Sequence, residues 1–287
     1  MNYILLFVSV LMETSKNIFS NYFSKTKLNT VSDALFYNVI SCIGSVIFCA
    51  FIPLGSISTY SFVLAVVMAL TTTSMLVFSL LAMKTGPMSY SMLIMCLGMI
   101  IPTAFGIVYN SQTVTAIQAI GFILMIVTLW LGTDKSENDS FSFKWLFYAM
   151  MSFVACGCLG IVQLLHQSSA YKGEINIFIM FNFIFSAVLS LVIMFFRKKG
   201  EWKPSFKLAK GNMLPVGLIS GLFFGAVNII NLDLSGKLPS ILFFPATNGG
   251  MLVLSSVAAI TVFREKLSQR QLIGIITGVV SICLLGM

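Results

Sequence analysis

The chain is built from apolar stretches about as long as a membrane-spanning helix, separated by short polar connections. About 20 mostly apolar residues are enough for one helix to cross the hydrocarbon core of a bilayer. The predicted spans are residues 3–23, 33–53, 60–83, 88–108, 114–132, 144–166, 175–196, 212–232, 239–262 and 269–287. The sequence therefore predicts an all-α polytopic membrane protein with ten transmembrane helices.

Composition excludes most other classes of protein. Only 9% of the 287 residues are charged and 58% are hydrophobic, whereas roughly 25% of the residues in a soluble domain are charged. A soluble enzyme, a disordered chain and a nucleic-acid-binding domain are all excluded by these values. The lipid bilayer is the expected partner, and the net charge of +8 is interpreted as a signal of orientation rather than of nucleic-acid binding.

The basic residues are unevenly divided between the connections. Those after spans 1, 3, 5, 7 and 9 carry nearly all of them, and the even-numbered connections carry Lys172 and Lys237. Because cytoplasmic loops are enriched in Lys and Arg, we expect the odd-numbered connections in the cytoplasm. With ten spans, both termini then lie outside the cytoplasm, in a plasma or inner membrane.

A sequence pattern occurs twice. Residues 112–121 and 265–274, which lie 153 residues apart, share the pattern [QE]-x-[VL]-[ST]-x-x-Q-x-x-G at the entry to spans 5 and 10. It is typical of a turn, a Ser or Thr N-cap and a helix whose glycine packs closely on a neighbour. We therefore predict two five-helix halves, residues 1–132 and 144–287, joined by a polar linker at 133–143.

The two halves are expected to have opposite orientations in the membrane, because five is an odd number of spans. Charge agrees with this expectation: the connection between spans 4 and 5 is uncharged, while its counterpart between spans 9 and 10 carries Arg264, Lys266 and Arg270. Inverted repeats of this kind are typical of alternating-access transporters.

Two short segments carry a resemblance to a known family. Residues 263–268 (FREKLS), followed by Gln271 and Gly274, resemble the closing signature of EamA-like members of the drug/metabolite transporter superfamily, and residues 82–89 (AMKTGPMS) resemble the family's connection between spans 3 and 4. The resemblance implies a central cavity lined by spans 1, 3, 4, 6, 8 and 9, with spans 5 and 10 at the periphery. It does not identify the substrate, since members carry amino acids, amines, nucleotide-activated sugars and other metabolites.

Span 1 contains the strongest candidate site. Ser9, Glu13, Lys16 and Ser20 share one helical face, and Glu13 and Lys16 are close enough in sequence to pair. Ionisable groups inside a span are costly and are functional candidates. Two interpretations are open: a structural ion pair, or a cavity pair that binds the substrate or a coupling proton or sodium ion.

Span 9 contains Pro245 and the pair Gly249–Gly250. A proline inside a helix removes a backbone hydrogen bond, so we expect a helix break that places Thr247 and Asn248 at the substrate. The alternative is a kink that serves packing, with Asn248 bonded to a neighbouring helix.

Span 8 contains a stripe of small residues, Gly217, Gly221 and Gly225, which predicts a close helix contact. Asn228 follows on nearly the same face. It is interpreted either as a cavity residue or as an interhelical hydrogen bond.

Three further polar residues are candidates. Gln163 in span 6 is a candidate cavity residue. Tyr90 in span 4 is expected either at the cavity mouth or in the interfacial aromatic belt. His166, near the end of span 6, is expected at the interface, with a gating role as the alternative.

Together these features predict a secondary transporter for a small polar or amphipathic solute, such as an amino acid or amine, and not an enzyme. No nucleotide-binding motif appears in the sequence, so a proton or sodium gradient, or solute exchange, is the expected driving force. No cofactor or metal is predicted, and a monomer or homodimer is expected. The alternatives are a non-transporting receptor or assembly subunit and an intramembrane lipid-handling enzyme.

Overall fold

The computed structural model describes residues 1–86, 88–131, 142–196, 213–261 and 269–287, and the regular elements within them are α-helices. The predicted all-α class is therefore confirmed for these residues. The helices are α1 (Asn2–Thr26), α2 (Val31–Ala50), α3 (Thr59–Thr85), α4 (Met88–Leu97), α5 (Ile100–Tyr109), α6 (Ala116–Leu131), α7 (Phe143–Gln167), α8 (Ile175–Phe196), α9 (Met213–Ser235), α10 (Ser240–Thr261) and α11 (Gln269–Leu285).

Every predicted span contains helix. Six helical segments of the described chain are long and apolar enough to cross a membrane, and α6 and α11 are shorter apolar helices. Such a set of helices is typical of a multi-pass membrane protein. These six segments are Val31–Ala50, Thr59–Thr85, Ser91–Tyr109, Phe143–Gln167, Ile175–Phe196 and Leu214–Ser235.

A break divides the fourth predicted span into α4 and α5 at Gly98 and Met99. Pro102 has no N–H to donate to the carbonyl of Gly98, four residues earlier. That carbonyl instead accepts from Ile101 N at 3.2 Å, and Met99 N donates to Cys96 O at 3.1 Å. These three-residue turns interrupt the α-helix near the middle of the span.

The predicted break in span 9 is wrong, because α10 is continuous through Pro245. The proline stands in the second turn of α10, so the lost hydrogen bond lies near the helix start. Two side chains also bond the carbonyls of this turn. Thr247 Oγ1 donates to Phe243 O at 2.9 Å, and Asn248 Nδ2 donates to Phe244 O at 3.0 Å.

The predicted Thr cap at the first copy of the repeated pattern is confirmed. Thr115 Oγ1 accepts from Gln118 N at 3.2 Å, and Gln118 Oε1 accepts from Thr115 N at 3.1 Å. This reciprocal pair is a capping box, which satisfies two helix-terminal donors and starts α6. In the second copy, residues 265–268 lie outside the described part of the chain.

The glycine stripe forms the predicted close contact, between α9 and α2. A Cβ on Gly217 would meet the side chain of Ile40, and a Cβ on Gly221 would meet the backbone of Ser41 and Gly44. Ser45 Oγ in α2 also donates to Gly221 O at 2.8 Å. Only small residues allow the two backbones to approach this closely.

The remaining packing positions the central helices. Helix α1 packs against α9 and α10, α7 packs against α3, α4 and α5, and α6 pairs with α11. At the α6–α11 contact, Ser281 Oγ donates to Gly121 O at 2.7 Å. Among the described residues, one large buried hydrophobic cluster is formed mainly by α2, α3 and α8, and another mainly by α10 with residues of α1, α4 and α6.

Candidate functional site

A cavity lies between α1, α3, α4, α5, α7, α9 and α10, which correspond to predicted spans 1, 3, 4, 6, 8 and 9. The volume that the centre of a water molecule can occupy is about 110 Å³. None of its described lining residues comes from α6 or α11. Its polar lining residues are Ser9, Glu13, Lys16, Asn17, Ser20, Ser79, Gln163, Asn228, Asn231, Thr247 and Asn248.

An ion pair in α1 lines the cavity. Lys16 Nζ lies 2.5 Å from Glu13 Oε1, and the two side chains are 8% and 21% exposed. Lys16 Nζ also lies 4.6 Å from the centroid of the Phe224 ring, a cation–π distance. The ammonium group is thus held between a carboxylate from its own helix and an aromatic face from α9.

The same face of α1 is bonded to neighbouring helices above and below this pair. Ser9 Oγ donates to Asn231 Oδ1 in α9. One turn beyond Lys16, the hydroxyl groups of Ser20 and Tyr37 are 3.2 Å apart, and Tyr37 donates to Ser220 Oγ at 2.9 Å. These contacts fix the rotation of α1, so that Glu13 and Lys16 point into the cavity.

The amides predicted from the sequence also line the cavity, from α7 and from α9 and α10, which pack against α1. Asn228 Nδ2 donates to Phe224 O at 2.9 Å, one turn earlier in α9, and Asn248 Nδ2 makes the equivalent bond within α10. The contacts described for both amides are therefore within their own helices rather than between helices. Gln163 lines the cavity from α7 and is buried.

The cavity is also lined by apolar side chains. Met75, Leu80 and Met83 line it from α3, and Met95 and Met99 line it beside the break between α4 and α5. Thioether side chains adapt to irregular shapes. The cavity therefore combines charge and amides with flexible apolar groups.

Two predicted residues do not join this group. Tyr90 belongs to α4, but its side chain lies outside the described part of the structure. His166 lies in the last turn of α7, at the end of predicted span 6, and its ring is fully buried, stacked on Phe178 at 4.1 Å between centroids. Its position at the membrane interface stays a prediction; within the protein, Ser61 Oγ of α3 also lies 3.4 Å from His166 Nε2.

Sequence reasoning missed Asn17 and Asn231 as cavity residues. Asn17 is buried in α1, and its Nδ2 lies 2.5 Å from the sulfur of Met251. A signal was present for Asn17, since it lies four residues after Glu13 and so falls on the same helical face. The contact of Asn231 with Ser9 depends on how α9 packs on α1, which no local pattern encodes.

Contacts between turns close one end of the bundle. Gln112 Oε1, after α5, accepts from Ser240 N at the start of α10 at 2.9 Å. Glu174, after α7, accepts from Ser58 N at 3.0 Å and Ser58 Oγ at 2.8 Å at the start of α3. Both acceptors satisfy helix N-termini, where the backbone dipoles favour negative charge. This end must rearrange if the cavity is to open there.

The Glu174 contact makes stability depend on pH. Burial acts to raise the pKa of Glu174, but hydrogen bonds from Ser61 and Ser58 outweigh it and hold the pKa below its ordinary value. The carboxylate therefore stabilises the fold above the unfolded-state pKa of about 4.3, and this contribution is lost as the pH falls through the lower folded-state pKa.

We expect Glu174→Gln to lower the melting temperature of the purified protein at about pH 7 and to reduce the loss of stability on acidification. The exposed Lys172→Gln in the same turn is the control and is expected to leave both unchanged. An identical acid-induced loss in wild type and Glu174→Gln would contradict the role given to this carboxylate.

Comparison with known proteins gives a fold likeness. No protein-family model and no curated protein match the chain. Of the solved structures, 28 chains match. One, a crystal structure of a protein, is 10% identical, with a TM-score of 0.77 over 99% of this chain and 95% of that chain. At this identity the likeness is one of fold, over nearly the whole length of both chains.

Proposed function

We propose that the protein is a secondary active transporter that moves a small polar or amphipathic metabolite across the membrane by alternating access. One observation carries the proposal: a cavity lined by amides, hydroxyls and a buried ion pair lies inside a bundle of apolar helices. Ionisable groups at such depth mark substrate or ion pathways, and transporter sites lie near the midplane between repeats.

The packing supports ten spans arranged as two inverted five-helix halves. When each span is matched with the span five later, a contact in one half has a counterpart in the other. The contact of α1 with α9 corresponds to that of α7 with α3, and the contact of α2 with α9 corresponds to that of α8 with α3. Helices that are each other's counterparts also contact each other directly, namely α2 with α8 and α6 with α11. Such a pattern is expected if one half repeats the other about a twofold axis. The proposed place among EamA-like transporters is based on the resemblance of residues 82–89 and 263–268 to that family.

In this mechanism the two halves rock about the cavity. Glu13 binds a substrate ammonium or a coupling proton or sodium ion, and Lys16 pairs with it or with a substrate carboxylate. Asn228, Thr247 and Asn248 orient the solute by hydrogen bonds, with Gln163 and Tyr90 as further contacts. Energy comes from an ion gradient or from solute exchange.

The charge bias gives the orientation within this proposal. The odd-numbered connections face the cytoplasm and both termini face outward, in a plasma or inner membrane. The end closed by Gln112 and Glu174 then faces away from the cytoplasm. Opening the cavity to that side breaks the contacts of Gln112 with Ser240 and of Glu174 with Ser58.

The test is a ligand screen followed by a flux measurement. Purified protein is melted with a panel of amino acids, amines and monocarboxylates, at two pH values with and without sodium. Each stabilising solute is then followed in radiolabelled form by counterflow into proteoliposomes. We expect counterflow with wild type and at least a tenfold loss with Glu13→Gln and with Asn248→Ala, since every 1.4 kcal/mol lost at a binding contact is tenfold.

The matched control is Cys283→Ser, since Cys283 is an exposed residue of α11. This variant is expected to transport normally. If a solute stabilises the wild-type protein but shows no counterflow, the protein is a receptor rather than a transporter. Normal counterflow with both Glu13→Gln and Asn248→Ala would refute the site.

A further inference from the structure

The cavity contains two opposite charges side by side and no net charge. Among the described residues that line it, Glu13 and Lys16 are the charged ones, and they pair at 2.5 Å. Charges in a poorly hydrated site are stable only when each has a partner. Any solute that binds here must therefore leave both the carboxylate and the ammonium paired.

This condition discriminates between classes of solute. A cation that takes Glu13 away from Lys16 leaves the ammonium without its carboxylate, and the Phe224 ring alone does not replace an ion pair. An anion that binds Lys16 likewise leaves the Glu13 carboxylate without its ammonium partner. A zwitterion inserted into the pair satisfies both, its ammonium on Glu13 and its carboxylate on Lys16, while the neighbouring amides complete the hydrogen bonds.

The size and apolar lining of the cavity narrow the class further. A water needs about 10–15 Å³ of such volume, so the 110 Å³ available leave room for several waters or for one small solute. Met75, Met83 and Met95 also line the cavity and form flexible apolar surface. This surface suits an apolar side chain.

We propose that the solute is a small zwitterion with an apolar side chain, of the size of a branched or thioether α-amino acid, that separates the Glu13–Lys16 pair and binds between its two partners. This inference rests on the proposed function only in treating the cavity as the substrate site. It adds that specificity comes from charge neutrality within the cavity.

Four probes that share the isobutyl side chain of leucine test it: leucine, 3-methylbutylamine, 4-methylpentanoate and 4-methylpentanamide. They carry both charges, only the ammonium, only the carboxylate, and neither. We expect leucine to bind wild type at least tenfold more tightly than each of the other three, measured by ligand-dependent melting of the detergent-purified protein.

Charge-deletion variants should redirect this preference. Glu13→Gln leaves Lys16 without its carboxylate, so its preferred probe becomes 4-methylpentanoate. Lys16→Gln leaves Glu13 without its ammonium, so its preferred probe becomes 3-methylbutylamine. A purely structural ion pair would weaken all four probes alike in both variants. In the double variant Glu13→Gln/Lys16→Met, which keeps the cavity neutral, leucine should lose its advantage over 4-methylpentanamide.

The wild-type panel decides the matter even where a variant fails to fold. If a singly charged or uncharged probe binds as tightly as leucine, or if neither leucine nor any other amino acid of this size shifts the melting temperature, the proposal is wrong. Counterflow separates it from the proposed function. If zwitterions bind but are not transported, only the proposal of a transporter is refuted. If a solute with net charge is transported, only the proposal of a zwitterionic substrate is refuted.

Discussion

Glu13→Gln and Lys16→Met are each expected to lower the free energy of unfolding by about 3 kcal/mol, whereas the double substitution is expected to lower it by less than either. Each single change leaves one charge without its partner at a site where the Lys16 and Glu13 side chains are only 8% and 21% exposed. The double change removes both charges, and with them the desolvation penalty. Thermal or denaturant unfolding of the purified variants measures the difference.

The chain offers a matched control for this experiment. Asp233 and Lys237 form an ion pair at 2.6 Å near the end of α9, with the Lys237 side chain 51% exposed. Pairs in such surroundings contribute about 0–1 kcal/mol, so Lys237→Met should scarcely change stability. A double variant as unstable as the worse single variant would show that Glu13 and Lys16 do not act as a coupled pair.

The second large effect is expected at Gly221. The Cβ of Gly221→Ala would meet the Ser41 carbonyl oxygen and lie 2.9 Å from Gly44 Cα. These are backbone atoms and cannot turn aside as a side chain would. Overpacking of this kind costs about 1–3 kcal/mol, and we expect the upper end. The readouts are the melting temperature and the monodisperse fraction on size exclusion.

Two other glycines calibrate this result. At Gly225 in the same helix the nearest atoms would lie 3.1 Å from a Cβ, and at Gly173 nothing lies within 4 Å. The loss of stability should therefore decrease from Gly221→Ala to Gly225→Ala and vanish for Gly173→Ala. Equal stability of all three variants would contradict the close contact of α2 and α9.

The helices were predictable because their signal is local. About 20 consecutive apolar residues predict a span wherever they occur, and the paired Thr115 and Gln118 predict a helix start from side-chain chemistry alone. Which proline would break its helix was not predictable, because Pro102 and Pro245 look alike in sequence. Their effects differ because Pro102 interrupts the middle of a span, while Pro245 lies near the start of α10.

The residues of the candidate site on α1 were predictable, but the prediction of their partners on other helices was incomplete. The face of α1 that carries Glu13 and Lys16 follows from helical spacing. The partners Asn231 and Phe224 depend on the position of α9 beside α1. His166 illustrates the same limit, since its buried ring meets Phe178 of α8 and Ser61 of α3, which no local pattern predicts. Periodicity shows which residues share a face, and packing decides what that face meets.

The break between α4 and α5 has a consequence for how the protein is made. Each piece has ten residues and extends about 15 Å at 1.5 Å per residue, about half of a bilayer core. Neither piece alone satisfies its backbone across the lipid. Both depend on α7 and α10, which lie against them and leave the ribosome later. We therefore expect this segment to reach its final protease-resistant form only after α10 has been synthesised, so that the cavity is completed last during biogenesis.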